Sequence, residues 1–259
     1  MNLKKIGFFL GPILFVITRY FISFNGLSDE GIAVLASTLW IAIWWITEAI
    51  PIAATSLMPI ILFPLSDGLS LSDTTSSFGH RFVFLYLGGF ILALSIEKWN
   101  LHKRIALNII KVIGTNIKKI ILGFMVATAF LSMWISNTAT SVMMLPIGIA
   151  IIKQMKDLKN TPENENLIFG KSLMLAIAFS ASIGGVATLI GTPPNIIFAG
   201  IIQEIYNIEI SFLEWFMFGF PISIILLIIA WVYLTNIAFK FKEDKFDEGK
   251  KEINRQLKA

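Results

Sequence analysis

The sequence contains no cysteine, and this absence removes several kinds of chemistry. Neither a disulfide nor a thiolate metal site can form, and thiol redox reactions are excluded. Charge is scarce as well: charged residues make up 15% of the chain, hydrophobic residues make up 56%, and the mean hydropathy is +0.76. A soluble domain has about 45 to 50% apolar residues. The composition therefore predicts a membrane protein of the all-α class.

Several long runs carry almost no charge, and an α-helix of about 20 such residues crosses a bilayer. We expect about six transmembrane helices, at residues 6–24, 31–49, 52–65, 81–97, 172–206 and 212–239. The first run follows Lys4 and Lys5 as the core of a signal peptide would, but no small-residue cleavage site comes after it. We interpret it as a retained span. Pro51 predicts a turn between the second and third spans, because proline disfavours helix in the residue before it.

A mixed segment after the fourth span predicts a helix in the plane of the membrane interface. Apolar residues recur at helical spacing on one side, and basic residues lie opposite them. The apolar side comprises Leu101, Ile105, Ile109 and Val112, and the basic side comprises Lys103, Arg104 and Lys111.

The positive charges predict the orientation of the chain. If the amino terminus is cytoplasmic and each span crosses once, every Lys and Arg except Arg19 and Arg81 falls in a cytoplasmic segment, while outer loops carry acidic residues such as Asp29. Cytoplasmic loops of membrane proteins show this excess of basic residues. We expect an inner-membrane protein with both termini in the cytoplasm. The pI near 9.2 reflects this arrangement, and we expect no nucleic-acid partner.

Residues 120–152 carry no charge but have basic residues at both ends, so the orientation requires them to begin and end on the same side. The two arms, 120–135 and 139–152, are each shorter than a standard span. This favours a re-entrant helical hairpin. A pair of short transmembrane spans remains the alternative.

Small polar side chains cluster at the tip of this hairpin. Non-helical backbone at membrane depth is tolerated only where protein or a watery cavity satisfies it, so the tip indicates a cavity. Hydroxyl, amide and carbonyl oxygens there suit Na⁺, and the positive end of the second arm favours an adjacent anion. The alternative is that these side chains only bond to nearby backbone carbonyls or join helices. The cluster comprises Ser132, Ser136, Asn137, Thr138, Thr140 and Ser141.

The fifth span is interrupted between residues 182 and 195. Pro194 disfavours helix at Pro193, and neither proline can donate a backbone hydrogen bond, so the helix should stop and restart. Secondary transporters hold a substrate and its coupling ion near the midplane with such broken helices. Residues 172–206 contain no Lys or Arg, so dipoles, hydroxyls, amides and a neighbouring cation would hold an anionic substrate.

The chain resembles the divalent anion/sodium symporter family of the ion transporter superfamily over essentially its whole length. The resemblance rests on four motifs: Ser136-Asn137-Thr138; Gly184-Gly185 leading to Gly191-Thr192-Pro193-Pro194-Asn195; Trp44-Trp45-Ile46-Thr47-Glu48-Ala49-Ile50-Pro51; and Gly88-Gly89-Phe90 with Glu97-Lys98-Trp99.

The resemblance implies two inverted repeats, a homodimer and an elevator-type movement. It implies a sodium site at Ser132, Ser136, Asn137 and Gly191, and a substrate site at Asn137, Thr138, Thr192 and Pro193; Asn195 also matches the family motif. Residues 1–119 would be the scaffold with its interfacial helix, 120–206 the transport part, and 207–259 the last span and a polar tail.

The chain departs from the family because no second hairpin follows Phe239. We therefore expect the amino-terminal half of a Na⁺-coupled carrier for dicarboxylates such as succinate, malate and fumarate, with a missing or separate carboxy-terminal half as partner. The alternatives are a membrane subunit without transport activity of its own, or a sulfate or tricarboxylate carrier. An enzyme is not expected, because no nucleophile, base and orienting partner converge in the core.

Overall fold

The structure is a computed structural model that describes residues 3–23, 26–113, 116–156 and 163–241. Every regular element in these ranges is helical, which confirms the predicted all-α class. The helices are α1 (Leu3–Tyr20), α2 (Asp29–Thr47), α3 (Ile52–Thr55), α4 (Met58–Leu65), α5 (Leu71–Phe78), α6 (Arg81–Lys98), α7 (Leu101–Ile113), α8 (Ile117–Ser132), α9 (Asn137–Lys156), α10 (Glu163–Val186), α11 (Pro193–Tyr206) and α12 (Phe212–Val232), which continues as a π-helical turn, Tyr233–Ala238.

Four helical segments in the described part of the chain are long and apolar enough to cross a membrane: Asp29–Thr47, Leu71–Lys98, Asn166–Val186 and Phe212–Ala238. The prediction named about six spans. The predicted spans 6–24 and 52–65 do form helices, but α1 carries Lys4, Lys5 and Arg19, and Ile52–Leu65 is shorter than a full crossing. The predicted span 172–206 is divided between α10 and α11.

The chain divides into two compact units, Met1–Phe84 and Leu85–Ala259. This is a division by packing. The predicted division by role, into residues 1–119, 120–206 and 207–259, stays a prediction. The polar tail beyond residue 241 lies outside the described residues.

In the first unit, α1 and α2 form a closely packed helical pair. Gly7 lies against the side chain of Thr47, and a Cβ atom there would overlap it. The indole Nε1 of Trp44 donates to the carbonyl oxygen of Phe8 at 3.2 Å, and the two rings stack with centroids 5.3 Å apart. The predicted turn before Pro51 is confirmed, because α2 ends at Glu48 with a left-handed backbone (φ 48°).

In the second unit, α8 packs on α7 and most extensively on α10. The core they share is apolar and fully buried, and includes Leu107, Ile110, Ile121, Phe124, Phe169 and Leu173. The helix predicted near residues 101–112 exists as α7, and its place in the membrane interface stays a prediction. The face that packs on the core is only in part the predicted apolar side, to which Ile109 belongs. His102, Ala106 and Ile110 are buried, whereas Leu101 and Val112 are exposed. The reason is that α7 carries apolar residues on more than one face, so periodicity alone did not select the contact face.

The predicted helical hairpin is present as α8 and α9, joined by residues 133–136. Its second arm differs from the prediction, because α9 has 20 residues rather than the range 139–152. A helix of that length extends about 30 Å. Arm length therefore does not by itself separate a re-entrant hairpin from a crossing, and re-entry stays a prediction.

Candidate functional site: the hairpin turn and the broken helix

The hairpin turn is closed by backbone hydrogen bonds and by a helix cap. At the end of α8, the backbone amide of Met133 donates a hydrogen bond to the carbonyl oxygen of Ala129 at 3.2 Å. Ser136 begins α9: its Oγ accepts from the amide of Ala139 at 3.3 Å, and its carbonyl accepts from the amide of Thr140 at 2.9 Å. Serine is favoured at this capping position because its side-chain oxygen satisfies an amide with no intrahelical acceptor.

The predicted break in the fifth span is confirmed. Helix α10 ends at Val186 and α11 begins at Pro193. Pro193 and Pro194 occupy the first turn of α11, where a missing amide hydrogen removes no helical bond. One detail of the prediction was wrong: Pro193 belongs to α11, and the non-helical residue is Thr192, whose φ is −147° and ψ is 143°. The residue before the first proline, rather than the second, is forced into the extended region.

Asn195 joins the two ends of the broken helix. Its side-chain Nδ2 donates to the carbonyl oxygens of Gly185 at 3.0 Å and Thr188 at 2.8 Å. The last carbonyls of a helix have no intrahelical donor, so they require a partner from elsewhere. The buried amide of Asn195 supplies it and thereby positions the start of α11 against the end of α10.

Helix α12 satisfies two further carbonyls at the end of α10. Trp215 Nε1 donates to the oxygen of Val186 at 3.0 Å, and Ser223 Oγ donates to the oxygen of Ile183 at 2.9 Å. Between them, Gly219 lies against the carbonyl of Val186. That α12 satisfies the carbonyls at the end of α10 was not predicted from the sequence. Residues 215, 219 and 223 are four apart and share one helix face, and this spacing in an otherwise apolar helix was the available signal.

Two buried hydrogen bonds connect the hairpin with the broken helix. Ser132 Oγ lies 2.7 Å from the carbonyl oxygen of Ala181 and 2.8 Å from Oδ1 of Asn137. Thr188 Oγ1 donates to the carbonyl oxygen of Met133 at 2.5 Å. The tip of the hairpin and the interruption of the helix are therefore in direct contact.

Glycines permit this contact, because a side chain would occupy the space of the neighbouring group. A Cβ at Gly184 would overlap the backbone of Ala129, and a Cβ at Gly185 would overlap the side-chain amide of Asn137. A Cβ at Gly191 would lie 2.5 Å from the carbonyl oxygen of Gly185. Asn137 and Gly191, both predicted as sodium ligands, thus both lie close to Gly185.

The environment of Ser132 suits a small cation. Its side chain is fully buried, and its hydroxyl carries one proton that faces two acceptor oxygens, those of Ala181 and Asn137. One acceptor is left without a proton, and a hard cation is the partner that oxygen atoms of this kind coordinate. The oxygens at this point are the hydroxyl of Ser132, the amide oxygen of Asn137 and the carbonyl of Ala181, and among the described residues no group of three His, Asp or Glu side chains lies together.

Exposure divides the predicted site residues into three groups. Ser132 and Gly191 are buried, Ser136, Asn137 and Thr192 are half-buried, and Thr138 and Pro193 are exposed. The structure thus brings Ser132 and Asn137 into contact and places Gly191 near them. The ligand roles predicted for all seven stay predictions.

A polar-tipped hairpin packed on an interrupted helix, within an apolar multi-helix chain, defines the class of secondary membrane transporters. A family model described as citrate transporter matches residues 42–258. The chain belongs to this transporter family, which confirms the resemblance to the divalent anion/sodium symporters, and it is a multi-pass membrane protein.

The comparison with curated proteins agrees. The chain is 49% identical over 256 residues to the sodium-dependent dicarboxylate transporter SdcS of Staphylococcus saprophyticus, an alignment that covers 98% of this chain and 49% of that protein. It is 52% identical over 256 residues to the transporter of the same name from Staphylococcus aureus strain bovine RF122, with the same coverage. The chain spans about half the length of the curated relatives it matches.

Proposed function

We propose that the chain takes part in the Na⁺-coupled transport of small dicarboxylates. One observation carries the proposal: the buried hydroxyl of Ser132 faces two acceptor oxygens at the junction between hairpin and broken helix. The relatives are named sodium-dependent dicarboxylate transporters, which supports Na⁺ as the ion and dicarboxylates as the substrate class.

The sodium ion would take oxygens from Ser132, Asn137 and the carbonyl of Ala181, with Ser136 and Gly191 completing its surroundings. Without the ion, the amide of Asn137 can turn so that its nitrogen donates to Ser132 while Ser132 donates to Ala181, and every group is then satisfied. The ion would favour the orientation that the structure shows, with the amide oxygen toward Ser132.

The dicarboxylate would bind beside the sodium ion, at the start of α9. The amides of Asn137 and Thr138 are in the first turn, where helix geometry leaves them without intrahelical acceptors and where the helix dipole is positive. Thr138, Thr192 and Pro193 would line this side. Residues 120–152 and 172–206 contain neither arginine nor lysine. The carboxylate thus depends on the bound cation for its counter-charge, and this dependence is a physical basis for coupling.

In the proposed topology both termini lie on the cytoplasmic side of the inner membrane, as the distribution of basic residues indicates. The proposed assembly is a homodimer. A further polypeptide segment, corresponding to the part of the relatives that this chain does not span, would supply the remaining lining of the substrate site.

Binding by the purified chain tests the sodium site directly. We expect Na⁺, compared with K⁺ at equal concentration, to raise the Tm, and succinate to raise it further only with Na⁺ present. Asn137→Ala should abolish both effects. Asn108→Ala is the matched control, because Asn108 is an exposed α7 residue whose amide bonds to its own helix. Equal Tm in Na⁺ and K⁺ would refute the sodium site.

Uptake into proteoliposomes tests transport and the substrate class. Succinate, citrate and sulfate are compared in Na⁺ and K⁺, with and without the remaining segment of an SdcS-type relative. We expect Na⁺-dependent succinate uptake that Asn137→Ala removes. Preference for citrate or sulfate would correct the substrate class, and uptake indifferent to both Na⁺ and Asn137→Ala would contradict the transport mechanism.

A further inference from the structure

A cavity lies between α9 and α10, away from the hairpin turn and the helix break. It is a groove of about 670 Å³, within the range of about 300 to 1,000 Å³ that small-molecule sites occupy. Most of its wall is apolar and includes Leu145 and Ile149 of α9 and Met174 and Leu175 of α10. It shares no residue with the predicted sodium or substrate site.

Two polar side chains line the same groove. Asn166 is only 9% exposed, and its buried Oδ1 has no hydrogen-bond donor among the residues that the structure describes. A buried amide oxygen without a donor is costly, so a donor other than the described residues is expected. Lys171 is exposed and forms no ion pair with any described residue. The groove therefore presents an unmet acceptor and an unpaired cation.

The depth of these groups in a membrane follows from α10. Glu163, Glu165 and Lys171 lie in its first turns and the charge-free run starts only at Ser172, so Asn166 is at the polar end of the candidate span. Lys171 lies about 7.5 Å further along the helix, and its long side chain can extend back toward the headgroups. Met174 and Leu175 lie deeper still. The polar end of the groove is thus at headgroup level, and the apolar end faces the hydrocarbon region.

We propose that this groove binds a phospholipid whose headgroup is anionic and carries a hydroxyl donor, as in phosphatidylglycerol. The phosphate would contact Lys171, the headgroup hydroxyl would donate to Asn166 Oδ1, and an acyl chain would lie along Leu145, Ile149, Met174 and Leu175. A phosphodiester alone offers only acceptors and leaves Asn166 unsatisfied. Phosphatidylcholine has no donor and no net negative charge, and phosphatidylethanolamine has a donor but no net charge. This inference goes beyond the proposed transport function and does not depend on it.

Lipid titration of the purified full chain, followed by native mass spectrometry, tests the proposal. We expect phosphatidylglycerol to bind more tightly than phosphatidylcholine or phosphatidylethanolamine. Lys171→Gln should lower the affinity for phosphatidylglycerol about fivefold, the effect of one lysine beside an anionic headgroup. Lys111→Gln should leave it unchanged, because Lys111 is an exposed lysine on α7 outside the groove.

Two further variants separate the polar and apolar parts of the groove. Asn166→Leu removes the acceptor and should reduce the preference for phosphatidylglycerol over phosphatidylcholine, which has no donor. Leu175→Trp fills the apolar part from a position that is 41% exposed, so the fold is retained, and it should weaken binding of all three lipids.

Three results would overturn the proposal. One is equal affinity for the three lipids. Another is an equal effect of Lys171→Gln and Lys111→Gln, which would place the anionic lipid on the general basic surface. The third is protection of Leu175→Cys from labelling by the remaining segment of an SdcS-type relative, with loss of bound phosphatidylglycerol, which would make the occupant a protein.

Discussion

Thr188 Oγ1 donates a buried hydrogen bond to the carbonyl oxygen of Met133, at a distance of 2.5 Å. Thr188 lies in the interruption between α10 and α11, and Met133 lies in the turn of the hairpin, 55 residues earlier in the chain. Neither residue was predicted as part of the site. This bond fixes the separation of the two non-helical segments on which the proposed sodium site depends.

Thr188→Val should destabilise the protein, because it keeps the shape of the side chain but leaves the buried carbonyl of Met133 without a donor. The expected loss is about 1 to 3 kcal/mol of unfolding free energy, the usual cost of an unsatisfied buried group. Denaturation of the purified protein measures it. Thr38→Val is the matched control, since Thr38 bonds to its own helix at an exposed position, and its effect should be within about 0.5 kcal/mol. Equal effects would show that the bond contributes nothing specific.

Gly185→Ala should disrupt ion binding, because the added methyl group would displace the amide of Asn137. We expect the Na⁺-dependent rise in Tm to be lost. Gly88→Ala in α6 is the control: no other group lies within 4 Å of the position of its Cβ. Alanine there should keep the Na⁺ response and stabilise the helix by up to about 1 kcal/mol. A full Na⁺ response in Gly185→Ala would argue against Asn137 as a ligand.

Trp215→Phe tests the support that α12 gives to the end of α10. The change removes the indole donor to Val186 but keeps an aromatic ring, so the unfolding free energy should fall by about 1 to 3 kcal/mol. Chemical denaturation provides the comparison with Trp99→Phe, at a position that is 78% exposed and should tolerate the change. If both variants have the same unfolding free energy, the hydrogen bond from Trp215 to Val186 does not contribute significantly to stability.

Accessibility labelling tests the proposed topology, and the absence of cysteine makes single-cysteine variants straightforward. Lys119→Cys and Lys153→Cys replace exposed residues near the outer ends of the two hairpin arms. Both should react with a membrane-impermeant reagent only from the cytoplasmic side, whereas Asp29→Cys should react from the opposite side. Labelling of residues 119 and 153 from opposite faces would exclude a re-entrant hairpin.

Part of the site was predictable because its cause is local. Prolines at 193 and 194 interrupt a helix wherever they occur, and the polar residues between 132 and 141 conflict with a continuous apolar span. The structure places the break and the turn at these positions. Details were missed where local signals compete. At α7, apolar residues on several faces left open which of them pack on the core, and at α9 the helix continues past the predicted end at residue 152.

The sequence by itself determined the membrane class, the helical hairpin and the position of the break, because charge, hydropathy and proline act over one or two helical turns. The tertiary structure alone decided which groups meet. Trp215, Ser223 and Asn195 satisfy the carbonyls at the end of α10, and Thr188 reaches Met133, since an unpaired backbone group accepts any donor that packing brings near it. No spacing along the chain specifies that partner.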